Sequence, residues 1–296
     1  MVLLFNLIIN FIMKVSIITC TSNSASTLAW NLKSISIQTH IDIEHIIIDN
    51  NSSDNTIEIA KEFPHITTII SEPDNGIYFA MNKGLTIATG DIIGFLNSDD
   101  YLSGPDVISK IVERFKKTKC SAVYGSLIYV KEHSLNEIHR VWQVEDYNNR
   151  LPFKGWMLPH PTFYVKKEVY QKFGVFNTDF KFAADYEIIL RFLLKHQISI
   201  SPISDVLVYM RTGGATNKNF VSRFKVHLED WRAWKSIGLA PKWYTLFLKP
   251  LRKTIQFIIP YFSIKWRLHE HPEYHPKIKN VNTITNLNKK IIVTSN

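Results

Sequence analysis

A chain of 296 residues can bury one large core or two smaller ones, and 45% hydrophobic with 21% charged residues excludes a disordered chain. The two cysteines, Cys20 and Cys120, lie in apolar runs and indicate reduced core residues of a cytosolic protein. The net charge of +9 is uneven, because residues 211–296 hold 16 Lys and Arg against 4 Asp and Glu, whereas residues 1–210 hold 19 against 22. A basic C-terminal region suits an anionic surface, either a membrane or a nucleic acid.

The first twelve residues are almost entirely apolar. They are too short to span a bilayer, and neither a preceding basic residue nor a small-residue cleavage site marks a signal peptide. Met13 followed by Lys14 would itself be a natural start. We therefore interpret residues 1–13 as an apolar extension that adds a strand or lies on the surface.

Short apolar runs alternate with helical patterns through the first 120 residues. Strands are predicted over residues 15–20, 45–49, 66–70 and 92–96. Helices are predicted after a cap at Ser24 or Ser26, over 55–62 after a cap at Asp54, from Ile77 to a glycine C-cap at Gly90, and after Pro105. This alternation indicates βαβ units and a mostly parallel sheet.

The pattern changes after Ser121. The later segments read as an antiparallel hairpin of strands 122–130 and 138–144, a strand over 160–165, an apolar helix over 186–195 that Asp185 opens, a last strand over 206–210, and helices within 219–268. We predict one α/β domain over 14–218, with halves 14–120 and 121–218. A helical extension over 219–270 and a polar tail over 271–296 follow.

The stretch EPDNGIYFAMNKGLTIATGDIIGFLNSDD, residues 72–100, contains the most informative pattern. Its buried strand stops abruptly at Asp99 and Asp100. Open α/β sheets bind ligands at the carboxyl ends of their strands, and Mg²⁺ or Mn²⁺ prefers carboxylate oxygens. A polar turn that merely ends the strand is the simpler alternative for an isolated pair of aspartates.

Three strand ends are expected to meet at one edge of the sheet, at residues 19–23, 49–52 and 97–100. The sequence contains neither a dinucleotide-binding Gly-x-Gly-x-x-Gly after the first strand nor a P-loop, and no Gly-x-Ser-x-Gly elbow. What remains is a nucleotide held by side chains, with a divalent metal ion on the diphosphate.

At these residues the chain resembles the inverting family 2 glycosyltransferases of the GT-A fold, in the branch that builds bacterial surface polysaccharides. The resemblance covers about residues 15–235. It rests on four blocks in order: VSIITCTSN, IIIDNNSSDNT, SEPDNGIYFAMNKGLTIATGDIIGFLNSDD and GVFNTDFKFAADYEIILRF. It implies a metal-assisted transfer from a nucleoside diphosphate sugar, usually UDP-linked, to a hydroxyl of a glycan or lipid-linked glycan.

The resemblance also implies roles for single residues. The nucleotide sugar would be bound by Thr21, Asn23, Asp49, Asn50, Asp74 and Asp99. The metal would be held by Asp99 and mainly Asp100, because the family's usual first acid is Asn97 here. Asp185 would be the catalytic base, although an aspartate at this position is also a common helix cap. The family often has a second carboxylate where this chain has Asn50, so the base of the nucleotide stays open.

Three further residues have weaker assignments. Lys83 lies where it would approach a phosphate, but a solvated lysine on a helix face is the simpler interpretation. His160, between two prolines, would touch the acceptor or the diphosphate, or be a structural histidine. Arg211 and the following Gly213–Gly214 loop are placed to cover the diphosphate.

The segment from Trp243 to Trp266 mixes aromatic and aliphatic residues with Lys and Arg. It predicts either an amphipathic helix in a membrane interface or a helix packed on the protein itself. We expect a cytoplasmic enzyme, peripheral on the inner face of the membrane if the first alternative holds. A non-catalytic sugar-nucleotide-binding subunit is the main competing function. A nucleic-acid-binding protein fits less well, because no recognition motif is present.

Overall fold

A computed structural model describes residues 13–131, 134–213, 220–254 and 256 of the chain. The predicted extension over 1–12 and the polar tail over 271–296 lie outside these residues. The strands are β1 Val15–Thr21, β2 Ile43–Asp49, β3 Ile66–Ser71, β4 Ile92–Phe95, β5 Tyr101–Leu102, β6 Ala122–Lys131, β7 Ser134–Trp142, β8 Tyr164–Lys166 and β9 Ile200–Arg211. Within the described residues they form one sheet in the order β3-β2-β1-β4-β8-β6-β9-β5, with β7 paired to β6.

Helices cover both faces of this sheet. They are α1 Leu28–Ser36, α2 Thr56–Lys61, α3 Ile77–Ile87, α4 Val107–Thr118, α5 Lys167–Phe173, α6 Ala184–Leu190 with a π-helical continuation Arg191–Lys195, α7 Phe220–Ser236 and α8 over residues 245–254. Successive residues of a strand point to opposite faces. Ile18 of β1 therefore packs in a core with α3, α6 and α7, whereas Ile17 packs in a second core with α1 and α4.

The first half of the sheet is parallel, as the sequence predicts. Strand β1 lies between β2 and β4 and pairs with both in parallel. The register places Thr21 opposite Asp49, so the loops that follow β1 and β2 leave the sheet side by side. The runs of Ile and Val in β1, β2 and β4 are buried, which is the pattern of parallel strands covered on both faces.

Two predicted helix caps are wrong. Helix α3 ends at Ile87 without a glycine cap, and Gly90 instead lies against β1, where an added Cβ would be 2.6 Å from the Ser16 nitrogen. Helix α1 begins after Thr27 without a side-chain cap, and Ser24 contributes its backbone carbonyl to the Leu28 N–H. The Asp54 carboxylate does accept the Thr56 N–H at the start of α2.

The second half of the sheet departs further from prediction. Residues 160–162 form a 3₁₀ turn rather than a strand, because Pro161 has no N–H and the Thr162 hydroxyl bonds to the Pro159 and Gly125 carbonyls. The predicted hairpin is present as β6 and β7. Strand β9 begins six residues earlier than predicted and pairs in parallel with β6. The prediction missed these residues because Pro202 argues against a strand in the sequence.

The C-terminal helices pack on the sheet domain. The Trp234 indole N–H of α7 donates to the Tyr186 hydroxyl of α6 at 2.9 Å, and both side chains are buried. In α8 the buried Thr245 hydroxyl donates to the Phe153 carbonyl at 2.6 Å. The Lys249 ammonium pairs with the buried Asp230 carboxylate of α7 at 2.7 Å. One side of α8 is therefore attached to the protein.

The other side of α8 is apolar and exposed. Phe247 and Leu251 are 75% and 54% exposed and lie four residues apart, which places them on one face of the helix. Trp243, two residues before α8, is 84% exposed and continues the four-residue spacing, and we call these three residues the exposed face of α8. Of the two alternatives for the segment 243–266, packing on the protein holds for one face of residues 245–254. Residues 255 and 257–266 lie outside the described part. Among the described residues, no helix has the length and apolar content that a membrane crossing requires.

Candidate active site

Asp49, the last residue of β2, organises the loops at the predicted ligand edge. Its buried carboxylate accepts hydrogen bonds from the Thr21 hydroxyl at 2.7 Å, the Ser71 hydroxyl at 2.7 Å, and both the hydroxyl and N–H of Ser52 at 2.5 and 2.8 Å. Burial would raise the pKa of Asp49, but these hydrogen bonds outweigh it and hold the pKa below its usual value. The ends of β1, β2 and β3 are thus joined through one carboxylate.

The asparagines predicted to contact the nucleotide also connect loops. The Asn23 amide oxygen accepts the Ser53 N–H at 2.9 Å, and Asn23 itself adopts a left-handed backbone with φ of 49°. The Asn50 amide oxygen accepts the Asp74 N–H at 2.8 Å. The Asp74 carboxylate then accepts the Gly76 N–H at 2.7 Å, just before α3. These contacts connect the loops that contain three of the predicted nucleotide residues, Asn23, Asn50 and Asp74.

Residues 97–100, which follow β4 and which we call the acidic corner, are held by hydrogen bonds from β9 and from α1. The Asn97 amide donates to the Asp100 carboxylate at 2.9 Å, and the backbone N–H of Arg211 donates to its other oxygen at 3.3 Å. The Arg211 guanidinium donates to the Asp99 carbonyl at 3.1 Å. From α1, the buried Asn31 amide donates to the Asn97 and Asp100 carbonyls. Arg211 is therefore part of the corner.

The donor atoms of this corner fit a divalent cation that shares its shell with a diphosphate. Asp100 is fully buried and Asp99 half-buried. Burial, then the neighbouring Asp99 carboxylate, raises the pKa of Asp100 well above its usual value, so a nearby cation would favour the charged form. The described residues contain no cluster of three or more His, Cys, Asp and Glu side chains, so the ion would take its remaining ligands from phosphate and water.

Asp185 lies in the first turn of α6 and does not cap it. The helix begins at Ala184, and its N-cap position is Ala183. The half-buried carboxylate of Asp185 accepts a hydrogen bond from the Tyr78 hydroxyl at 3.2 Å. Tyr78 stands in the first turn of α3, directly after the loop that contains Asp74. The predicted base and the predicted nucleotide loop are thus connected through one tyrosine.

The charges of Asp100 and Asp185 both reach Tyr129 of β6. Burial raises the pKa of its phenol, the Arg140 guanidinium opposes this, and the carboxylates of Asp100 and Asp185 both add to the rise. The Arg140 guanidinium carbon lies 3.9 Å from the centre of the Tyr129 ring. Two carboxylates that are 85 residues apart in sequence therefore act on the same side chain.

The weaker candidates take different positions. Lys83 forms an ion pair with Glu72 at 2.5 Å on the rim of the site, as a helix-face lysine would. The ring of His160 lies 5.8 Å from that of Phe95 and 5.7 Å from that of Phe176, so aromatic packing holds it. Burial lowers the pKa of His160, and the Asp185 carboxylate opposes this shift, which places the histidine near the predicted base.

Sequence reasoning missed several residues that build this edge. Ser52, Ser71 and Tyr78 are polar groups at strand and helix ends, and only the three-dimensional arrangement distinguishes them from ordinary loop residues. Glu229 of α7 was also missed, because it lies in a helix with no recognisable motif. Its carboxylate contacts the segment just before Asp185, and no periodicity in the sequence signals such a contact.

Comparison with known proteins identifies the family. The model of Glycosyl transferase family 2 matches residues 16–180. This chain belongs to that family. An uncharacterized glycosyltransferase of Mycobacterium tuberculosis is 35% identical over 181 residues, which cover 60% of this chain and 68% of the relative. A PGL/p-HBAD biosynthesis glycosyltransferase from Mycobacterium bovis is 29% identical over 219 residues, which cover 70% of this chain and 82% of the relative.

Solved structures show the same fold for this family 2 member. The Staphylococcus aureus protein TarS, residues 1–349 with UDP-GlcNAc, has a TM-score of 0.61 and 19% identity over 76% of this chain and 65% of that one. A mannosyltransferase from Pyrobaculum calidifontis with GDP-Man and Mn²⁺ has a TM-score of 0.57 and 20% identity over 80% and 69%. The predicted GT-A fold and glycosyltransferase class are confirmed.

Proposed function

We propose that this glycosyltransferase moves a sugar from a nucleoside diphosphate donor to a hydroxyl of a glycan or lipid-linked glycan, with inversion at the anomeric carbon. The observation that carries the proposal is a chain of contacts between the predicted base and the strand before the acidic corner. The Asp185 carboxylate accepts the Tyr78 hydroxyl, the Tyr78 ring stacks on Phe176, and Phe176 contacts Phe95, the last residue of β4. An inverting transfer needs charge stabilisation at the departing phosphate and a base on the opposite side of the sugar. A metal ion held at Asp99 and Asp100 would meet the first requirement, and the Asp185 carboxylate meets the second.

The donor end of the reaction uses the loops after β1, β2 and β4. Thr21, Asn23, Asp49 and Asn50 shape the nucleotide pocket, and Asp74 borders the ribose and diphosphate. Asp49 acts by fixing the loops, since its four hydrogen bonds already occupy both oxygens. Asp99 and Asp100 would hold Mg²⁺ or Mn²⁺, which supplies charge neutralisation for the diphosphate when bound.

The acceptor end uses Asp185. Its carboxylate takes the proton from the acceptor hydroxyl as the new bond from oxygen to the anomeric carbon forms. The bond from that carbon to the diphosphate oxygen breaks, and its electron pair leaves with the nucleoside diphosphate. A carboxylate base positioned in this way contributes about 10²–10⁴-fold in rate. No acid is required at the leaving group, in contrast to glycoside hydrolysis.

The donor nucleotide and the membrane contact are finer parts of this proposal. Neighbours of the same fold were solved with UDP-GlcNAc and with GDP-Man, so both sugars are appropriate first probes, with UDP expected from the family resemblance. For the acceptor, the apolar face of α8 supports an anionic bilayer as partner. Lys242 and Trp243 are exposed just before α8, and Phe247 and Leu251 are exposed on the helix itself, so a cation and large apolar groups lie close together in sequence.

Calorimetry with UDP and Mn²⁺, followed by a transfer assay, tests the proposal. We expect Asp100→Ala to abolish metal-dependent UDP binding, and Asp185→Asn to bind UDP normally while losing transfer. The Asp91→Asn substitution, at an exposed carboxylate whose partner is the Lys14 N–H, is the matched control and should leave both unchanged. Undiminished transfer by Asp185→Asn would refute the base. Donor binding without any turnover by the wild type would favour the non-catalytic subunit.

A further inference from the structure

A single carboxylate from α7 holds the backbone that leads into Asp185. Glu229 is buried, and one of its oxygens accepts the Lys181 N–H at 3.1 Å. Its other oxygen accepts the N–H groups of Phe182 at 2.7 Å and Ala183 at 3.0 Å. Three consecutive backbone donors therefore converge on one side chain that lies 46 to 48 residues further along the chain.

These donors lie just before and at the N-cap of α6. The first N–H groups of a helix have no partner within it, and the N-cap of α6 is an alanine without a capping side chain. Of these N–H groups, Glu229 accepts that of the N-cap residue Ala183 from another helix, and its other two contacts hold Lys181 and Phe182 just before the helix. Hydrogen bonds between backbone N–H groups and a buried carboxylate are charge-assisted and stronger than neutral ones. The negative charge also lies at the positive end of the α6 dipole.

Asp185 is thereby located from two sides. Tyr78 bonds to its carboxylate from α3, while Glu229 fixes the peptide groups two to four residues before it. The Trp234 to Tyr186 hydrogen bond attaches α7 to the residue directly after Asp185. The family model ends at residue 180, so neither Asp185 nor Glu229 lies within the matched segment.

We propose that Glu229 is a positioning residue for Asp185 and that α7 belongs to the catalytic unit. The proposal rests on the assignment of Asp185 as the base. Displacement of a reacting group by about 1 Å can cost about 100-fold in rate, so release of residues 181–183 would slow turnover without weakening donor binding. Glu229 touches no substrate in this scheme and acts through the backbone alone.

Two substitutions and one matched control test this. Glu229→Ala removes all three acceptor contacts, whereas Glu229→Gln keeps one oxygen and presents an amide that cannot accept the remaining N–H. Asp230→Asn is the control, since it alters the adjacent buried carboxylate of α7, whose partner is Lys249 and not the 181–183 backbone. Three quantities are measured for each variant: hydrogen exchange of the 181–185 amides, UDP–Mn²⁺ affinity, and release of UDP from UDP-GlcNAc or of GDP from GDP-mannose.

We expect faster exchange at residues 181–183 and a fall in kcat of about 10- to 100-fold in Glu229→Ala, a smaller fall in Glu229→Gln, and unchanged UDP–Mn²⁺ affinity in both. Unchanged exchange in Glu229→Ala, or an equal fall in kcat in Asp230→Asn, would overturn the proposal. The exchange measurement needs no turnover. A failure of the Asp185 assignment therefore shows as active Asp185→Asn, separately from a failure of Glu229 to hold the loop.

Discussion

The Tyr78 hydroxyl donates a hydrogen bond of 3.2 Å to the Oδ1 atom of Asp185. This contact joins the first turn of α3 to the first turn of α6, across 107 residues of sequence. The Tyr78 ring is buried and stacks on Phe176 at 5.8 Å. A residue that follows the nucleotide loop therefore sets the orientation of the proposed base.

Removing this hydroxyl should affect the rate more than the fold. Tyr78→Phe keeps the stacked ring and deletes one hydrogen bond, so we expect a loss of about 1 kcal/mol in the free energy of unfolding. We also expect kcat to fall several-fold with donor affinity unchanged, because the carboxylate loses its orienting partner. Tyr124→Phe is the matched control, since that hydroxyl donates to the Glu145 carbonyl instead. Equal kcat values for the two variants would contradict the orienting role.

The Asp49 carboxylate should be required for the order of the nucleotide loops. In Asp49→Asn an NH₂ group replaces one of the two oxygens and cannot accept hydrogen bonds from the N–H and O–H groups that face it. A buried donor that loses its acceptor costs about 1–3 kcal/mol in the free energy of unfolding. We expect this loss in urea unfolding, together with weaker UDP binding by calorimetry. Ser71→Ala removes one of the four hydrogen-bond donors to Asp49, so we expect a smaller loss in the free energy of unfolding and a smaller loss in UDP affinity. Normal UDP affinity in Asp49→Asn would show that the loops keep their shape without it.

Stability should depend on pH through His45. Burial, with the neighbouring His65, lowers the pKa of His45 from 6.5 to about 3. Below pH 6.5 the His45 side chain binds a proton in the unfolded chain but not in the folded chain. The free energy of unfolding is therefore highest above this pH and falls progressively as the pH is lowered towards 3. The slope is at most about 1.4 kcal/mol per pH unit for one group.

Urea unfolding at pH 7, 6 and 5 measures this effect. His45→Gln supplies polar atoms for the contacts with Thr19 and His65 but does not titrate in this range, so its stability should vary less with pH than that of the wild type. His40→Gln, at a histidine whose ring contacts the Met13 carbonyl, should retain the wild-type slope. Parallel pH profiles for His45→Gln and the wild type would exclude His45 as the cause.

Lipid binding should depend on the exposed face of α8. We expect the wild type to sediment with vesicles of phosphatidylcholine and phosphatidylglycerol more than with phosphatidylcholine alone. Trp243→Ser with Phe247→Ser should weaken this binding about tenfold or more, because each large apolar side chain contributes about 1.5–3 kcal/mol on burial. Ile41→Ser, at a side chain that is 81% exposed in the loop before β2, is the control. Unchanged binding by the double variant would assign another role to this face.

The first half of the fold was predictable because its strands are buried on both faces. Runs such as Ile46 to Ile48 fit only a covered parallel strand, and the acidic pair after β4 then had to lie at the ligand edge. The second half was harder, because β9 contains Pro202 and because the turn at residues 160–162 runs directly into the apolar residues of β8. In both places tertiary pairing and side-chain hydrogen bonds decide the structure, and neither is periodic in sequence.

The candidate site divides in the same way. Asp99, Asp100 and Asp185 were predicted because they stand in motifs that resemble those of a family. The residues that hold them, such as Tyr78 and Glu229, were not. A buried carboxylate in the middle of a helix looks like a solvated residue in the sequence. Only the three-dimensional structure shows that three backbone N–H groups donate to the Glu229 carboxylate.

The bond between the Arg211 N–H and the Asp100 carboxylate spans 111 residues. During synthesis the strands β1 to β4 leave the ribosome first, and they can pair with one another before the rest of the chain exists. The acidic corner, however, is finished only after β9 has been translated and has inserted beside β6 and β5. A nascent chain that lacks β9 therefore lacks the Arg211 contacts with Asp99 and Asp100, so the proposed donor site depends on the last strand of the sheet.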